Sequence, residues 1–357
     1  MSANVAKDQP GEGRLAHADT DHPPIAPAKV GVVIANLGTP DDTDYWSMRR
    51  YLGEFLSDQR VVDYARWKWQ PILQLIILTR RPFLSGQAYK SIWNTERDES
   101  PLLTITRAQR DRFSERMKDL YGDNVEVDFC MRYGNPSTES VLNRMAEKGC
   151  ERIVFFPLYP QYGSPTTATA NDQAFRTLMK MKWQPSIRTV PAYFDHPGYL
   201  RALAASVTDV YQPLETPPTK LVASYHGVPE RYLLDGDPYH CHCQKTTRLL
   251  REQLGWEKGD IDTTFQSKFG PEKWVGPATV EHVAELAKQG HKHIAVISPA
   301  FASDCVETLE EIEQEIRDSF MDAGGETFTY VPCLNDRDDH IDALVDIANN
   351  ELGGWLR

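Results

Sequence analysis

The chain has 357 residues, 41% hydrophobic and 25% charged, the composition of a folded protein long enough for two domains of ordinary size. Its net charge of −12 leaves no basic surplus to neutralise phosphates, which argues against a nucleic-acid partner and suits a site that handles a cation. No run approaches the roughly 20 apolar residues of a membrane helix, and no basic segment leads into an apolar one at the N-terminus, so a cytoplasmic protein with reduced cysteines is expected.

Residues 1–28, rich in Asp, His, Ala and Pro without apolar periodicity, read as a disordered tail. From Val30 onward, short apolar runs of strand length alternate with segments at helical spacing. Strands are predicted over 30–36, 125–132, 152–159, 186–193, 220–225, 261–266, 293–298 and 327–331. Helices are predicted over 104–120, 138–148, 197–211, 243–254, 278–289, 306–321 and 338–352. This alternation predicts an α/β protein of two Rossmann-like domains, each with a four-stranded parallel sheet flanked by helices, because the ligand loops of two such sheets face each other across a cleft. The seam falls after Tyr193, where Asp195-His196-Pro197-Gly198 interrupts the periodicity. The expected division is 29–193, then 194–331, with 332–357 returning to the first domain.

One segment breaks the rhythm. Residues 67–83, W-K-W-Q-P-I-L-Q-L-I-I-L-T-R-R-P-F, are too few to span a bilayer and too apolar for a solvated loop. They read either as a helix completing the first domain's core or as an exposed apolar lip, bracketed by cations, that touches a membrane surface or a greasy planar ligand.

The stretch 221–230, L-V-A-S-Y-H-G-V-P-E, ends a buried strand at Gly227 and Pro229, so His226 is expected on the loop at the strand's carboxyl end, where open α/β sheets bind ligands. A second apolar strand empties into 297–307, I-S-P-A-F-A-S-D-C-V-E, where Glu307 opens a helix. An imidazole and a carboxylate are thereby offered from two strand ends. Beyond Glu307, Glu311 and Glu315 follow at four-residue steps along one helix face, either a solvated acidic face or a ladder conducting a divalent cation or protons.

The stretch 237–243, D-P-Y-H-C-H-C, invites a zinc reading but lacks a second paired knuckle, so a loop and first helical turn covering the cleft, with Cys243 packed inside, is the favoured reading. Residues 157–167, P-L-Y-P-Q-Y-G-S-P-T-T, form either a stiff aromatic loop suited to press on a flat ligand or a plain rigid connection. Phosphate-cradling and nucleophile-elbow signatures are missing from the sequence.

Taken together the motifs resemble those of the ferrochelatases, the enzymes that metallate protoporphyrin in haem synthesis, in their proteobacterial form. The resemblance rests on A-N-L-G-T-P at 35–40, F-L-S-D-Q-R-V-V at 55–62, S-P-L at 100–102, M-R-Y-G at 131–134, P-L-Y-P-Q-Y at 157–162, S-Y-H-G-V-P-E-R-Y at 224–232, T-F-Q-S-K-F-G at 264–270 and D-C-V-E-T-L-E-E at 304–311. It implies a porphyrin cleft between two Rossmann-like domains, with His226 and Glu307 as the catalytic, iron-side pair. By the same resemblance Arg81, Tyr89 and Ser100 are propionate or rim contacts, Arg132, Tyr162 and Trp274 are cleft residues, and Glu311 and Glu315 are the acidic path. The substrates implied are protoporphyrin IX and Fe²⁺. No 2Fe–2S cluster or other cofactor is expected, since no cysteine follows Cys333. A monomer is expected, cytoplasmic or peripheral on the inner face of the cytoplasmic membrane through 67–83. A coproporphyrin-specific chelatase and a non-catalytic porphyrin carrier are the competing expectations.

Overall fold

The computed structural model describes residues 28–268 and 270–356; the tail reading of 1–28 lies, apart from residue 28, outside them. The first half contains β1 (Lys29–Thr39), α1 (Tyr45–Leu56), α2 (Arg66–Ile72), α3 (Leu78–Ile92), α4 (Pro101–Tyr121), β2 (Val125–Gly134), α5 (Thr138–Glu147), β3 (Cys150–Pro157), α6 (Thr169–Lys180) and β4 (Ser186–Thr189). The second contains α7 (Pro197–Tyr211), β5 (Leu221–His226), α8 (Glu230–Leu234), α9 (Tyr239–Leu254), β6 (Ile261–Gln266), α10 (Thr279–Lys288), β7 (His293–Ile297), α11 (Val306–Leu309), α12 (Arg317–Asp322), β8 (Thr327–Val331) and α13 (Asp338–Leu352).

Two parallel four-stranded sheets result, in the orders β2-β1-β3-β4 and β6-β5-β7-β8. The central strands β1 and β5 are buried on both faces, hence their unbroken apolar runs in place of alternation. In each sheet the chain leaves its first strand toward one side and returns on the other, so the crevice at the carboxyl ends of β5 and β7 is a topological switch point. Gly38 makes the corresponding end of β1 possible: at φ +111° its α-carbon lies so close to Tyr133 that an added β-carbon would fall 1.8 Å from that residue's carbonyl oxygen.

The halves share one apolar core, in which Val32, Ile34 and Phe156 of the first sheet belong to the same cluster as Ala223 and Ile297 of the second and Ile341 and Leu344 of α13. The helix α13 lies along α4, where Arg116 pairs with Asp338 and Asp342 at 3.0 Å each and Tyr121 bonds Asn349 at 3.1 Å.

The segment predicted as one helix over 306–321 is three pieces: α11, a π-helical turn over Glu311–Ile316, and α12. A second π turn, Leu73–Ile77, joins α2 to α3. The apolar spacing of a sequence hardly changes when one turn widens, so this departure has no clear periodic signature.

Near the start of α13 the His340 imidazole is fully enclosed, its Nδ1 2.7 Å from the Asn335 carbonyl. Burial disfavours its charged form and pulls its pKa down to about 4, against a partial upward pull from that carbonyl. The unfolded chain therefore binds the proton more readily, and the stability His340 contributes is present above pH 6.5 and lost as pH falls toward 4. Between pH 7 and pH 5 wild-type protein should lose about 2 kcal/mol of unfolding free energy from this group. Urea titrations at the two pH values check it: His340→Gln should show a correspondingly shallower loss.

Candidate functional site

Strands β5 and β7 are neighbours, paired through Leu221–Ala295, Val222–Val296 and Ala223–Ile297, so the loops that follow them open side by side. His226 is the last residue of β5 and is half-buried. Its Nδ1 lies 2.7 Å from the Gly227 carbonyl. A carbonyl only accepts, so Nδ1 carries the proton of the neutral ring and Nε2 keeps its lone pair. No larger residue fits at 227, where an added β-carbon would meet the Gln266 carbonyl at 2.8 Å and the Trp274 ring at 3.0 Å.

The link between the imidazole strand and the carboxylate helix is Gln266, opposite His226 in the β5–β6 register. Its Oε1 accepts from Ser224 at 2.7 Å, while its Nε2 donates to the Glu307 carbonyl at 2.7 Å and to Glu311 Oε2 at 3.2 Å. Beside it Ser267, held at φ +62°, directs its backbone N–H to Glu311 Oε1 at 2.7 Å and its hydroxyl to Oε2 at 2.5 Å. A non-glycine residue in the left-handed region costs on the order of 1 kcal/mol and persists where its surroundings over-determine it. Burial pushes the Glu311 carboxyl up, the Ser267 bonds and the His226 ring pull it down, and the Glu307 charge adds to the rise; the net shift is upward.

Along this row Glu307 and Glu311 are partly buried and Glu315 is exposed. The π turn adds a fourth. Through the bond of Glu315 N–H to the Glu310 carbonyl, at 3.1 Å, the wider turn brings Glu310 near the same row. Burial first, then the charges of Glu315, Glu311 and Glu307, raise the pKa of Glu310. Strict four-residue spacing gave no hint of it.

Tyr89 is buried with its ring edge-on to that of Tyr51, 6.3 Å between centroids, and the Tyr51 hydroxyl donates to the Gly38 carbonyl at 3.2 Å. Burial drives both phenols far up, and the Glu307 charge adds to this, which places the tyrosine pair close to that carboxylate. Val306 packs on the same cluster. Trp274 lies against Gly227, with its indole N–H buried and unpartnered.

The other residues divide. Arg132 and Tyr162 line a cavity of about 960 Å³ together with Asp58, Arg60, Arg176 and Tyr232, and that cavity does not include His226 or Glu307. Arg132 is nearly enclosed, paired with Asp58 and donating to Thr169 Oγ1 at 2.7 Å. Ser100 is buried at the start of α4, where its hydroxyl accepts from Leu103 N–H at 3.2 Å, so it serves the helix as an N-cap. Arg81 is exposed on α3.

The loop after β3 is fastened to the second half: Gln161 donates to Thr246 at 3.0 Å, Tyr162 N–H to His242 Nδ1 at 3.2 Å, and Ser164 N–H to Asp237 at 2.7 Å. The last two of these bonds engage the 237–243 stretch. His242 stacks on Phe194 at 3.8 Å, His240 on Phe265 at 5.4 Å, Cys243 is buried and Cys241 exposed, so its four N/S side chains point apart.

Residues 67–83 are partly core and partly exposed. Trp69, Leu73 and Leu78 fill the core of the first half, while Trp67 (75% exposed), Leu75 (74%), Ile76, Phe83 and Leu84 form a bare outer face, extended by Trp46. Among the described residues no helix is long and apolar enough to cross a membrane.

Comparison with known proteins accords with this geometry. The family model described as Ferrochelatase matches residues 29–352. The ferrochelatase of Rhodobacter capsulatus is 65% identical over 96% of this chain and 98% of its own length, and that of Rhizobium etli (strain CIAT 652) is 54% identical over 94% and 97%. Among solved structures, SirB from Bacillus subtilis with Fe3+ superposes with a TM-score of 0.54 over 92% of this chain and 99% of its own, at 11% identity, a likeness of fold.

Proposed function

The chain belongs to the ferrochelatase family, a metal chelatase that places iron in a porphyrin for haem synthesis, and from that premise we propose that it inserts Fe²⁺ into protoporphyrin IX with release of two protons. The observation that carries the reading is His226, whose Nδ1 is held by the Gly227 carbonyl at the end of a strand tied through Gln266 to Glu307 and Glu311.

Insertion replaces two pyrrole N–H bonds with bonds to iron, so two protons must leave as the ion sheds water. His226 Nε2 is the base for a pyrrole proton or the last ligand to the incoming ion, both of which need an unprotonated imidazole. Glu307, whose main chain is held by Gln266, shares the ion or takes the proton, and Glu311, Glu310 and Glu315 carry charge from the partly buried end of the row to its exposed end. The Trp274 ring beside Gly227 gives the macrocycle an aromatic wall, against which its apolar burial supplies the free energy that bends it toward the reactive geometry. No resident cofactor enters this scheme, and one chain suffices for it.

Protoporphyrin is preferred over coproporphyrin in this reading because the lip offers a greasy face to the two-carboxylate ring. Under anaerobic conditions, catalytic amounts of protein with Fe²⁺ should convert protoporphyrin IX over many turnovers, followed by its visible spectrum. Faster turnover of coproporphyrin would reverse the assignment, and conversion that stops at one equivalent would indicate a carrier.

The bare face of 67–83, flanked by Arg66, Lys68, Arg80 and Arg81, supports peripheral contact with an anionic membrane. Sedimentation with vesicles containing phosphatidylglycerol should retain wild-type protein and release the double variant Trp67→Glu, Leu75→Glu; equal retention of both would exclude the lip as the contact.

A further inference from the structure

Resting on the role just given to Glu307, we infer that Gln109 is a positioning residue for that carboxylate, acting from the opposite half of the molecule. Gln109 lies on α4 and is fully enclosed. Its Nε2 donates to two carbonyls of the second half, Ala302 at 2.9 Å and Asn335 at 3.0 Å, and its Oε1 accepts from Ser303 at 3.0 Å. Two carbonyls on one side and a donating hydroxyl on the other fix which end of the amide is which.

The path from there to Glu307 is short. Asn335, held at φ +47°, accepts the Asp304 N–H at 2.8 Å and returns a bond from its own amide to the Asp304 carboxylate at 2.7 Å. Asp304 accepts from Thr308 at 3.0 Å, and the Thr308 hydroxyl accepts the Cys305 N–H at 3.0 Å, which caps α11 across Glu307. With only four residues before the π turn, α11 has little lattice of its own to define its direction. Gln266 fixes the Glu307 carbonyl from within the second half, and Gln109 fixes the capping loop from the first. A ring seated between the halves would meet a carboxylate whose reach is set by both.

Satisfying buried carbonyls does not explain Gln109. Ala302 O also accepts from Asn335 N–H at 3.1 Å, and Asn335 O lies 2.7 Å from His340 Nδ1, so each keeps a donor without it. Gln109→Met, close in volume, should therefore fold.

The test is a double-mutant cycle in the holo reaction with Fe²⁺ and protoporphyrin, with porphyrin binding followed by quenching of tryptophan fluorescence. Gln109→Met should lower kcat roughly 10- to 100-fold, the scale of an ångström-sized misplacement, while porphyrin Kd stays within about twofold. In a Glu307→Gln background the same substitution should lower kcat less than about twofold, because the group it positions is already disabled. Ser303→Ala, which removes one of the three Gln109 bonds together with the long bond that Ser303 accepts from Asn36 at 3.4 Å, should give a smaller loss and the same non-additivity. If the losses multiply in the double variant, or if Gln109→Met turns over like wild type, the inference is wrong. If instead Glu307→Gln alone is near normal, the role assigned to Glu307 falls and this inference with it. Should Gln109→Met fail to fold, Ser303→Ala in the two backgrounds decides by the same criterion.

Discussion

His226→Ala should abolish metal insertion, by roughly 10³-fold or more, while the protein still binds porphyrin. Among the described residues the ring is held by one hydrogen bond, Nδ1 to the Gly227 carbonyl, and the aromatic surface beside it comes from Trp274, which packs on Gly227. Truncation to alanine therefore removes Nε2 and leaves the wall standing. Glu307→Gln is the companion variant: its backbone bond from Gln266 is untouched, its size is kept, and only the capacity to take a proton or hold the ion is lost, which should cost about 10²-fold. Turnover is measured spectrophotometrically without oxygen and binding by fluorescence quenching. Substantial residual insertion by His226→Ala would mean that another group takes the pyrrole protons, and loss of porphyrin binding in step with turnover would make the imidazole a binding residue instead.

The fold was largely legible because parallel strands buried on both faces announce themselves as unbroken apolar runs, and all eight predicted strands appear in two sheets of four. The adjacency of the His226 and Glu307 loops also had a sequence basis, since ligand loops gather at carboxyl strand ends. What escaped has a common physical character. Gln266, Ser267 and Gln109 act through side-chain geometry between elements far apart in the chain, and a glutamine or serine at such a point looks like any other. Gln266 and Ser267 did stand in the block at 264–270, where the polar pair ending an apolar strand was the available hint. Glu310 escaped because a π turn is invisible to spacing rules built on 3.6 residues. Ser100 stands before Pro-Leu-Leu, which is also the signature of a helix cap, and its hydroxyl accepts the Leu103 N–H there.

Asp58→Ala should destabilise the protein by about 3 kcal/mol, read as a shift in urea unfolding at pH 7. The carboxylate sits under α1 with its side chain almost enclosed, against the equally enclosed Arg132. Burial alone would push its pKa up, but the Thr169 hydroxyl, the Arg60 N–H, the Arg132 guanidinium and the Tyr133 hydroxyl outweigh that and hold it below the usual carboxylate range. Its contribution is thus present above pH 3.8 and lost as pH falls through the depressed folded value. Removing it leaves Arg132 with the Thr169 oxygens and with Glu54 at 3.8 Å, half exposed, as its nearest charge. A guanidinium stripped of its buried partner is the costly state, so the double variant Asp58→Leu, Arg132→Met should recover much of the loss, since an apolar pair of similar volume carries no stranded charge. If Asp58→Ala unfolds like wild type, water reaches Arg132 freely from the 960 Å³ cavity it lines, and the pair is a surface feature of that cavity. If the apolar pair restores stability but not turnover, Arg132 is needed at the cavity wall for its charge.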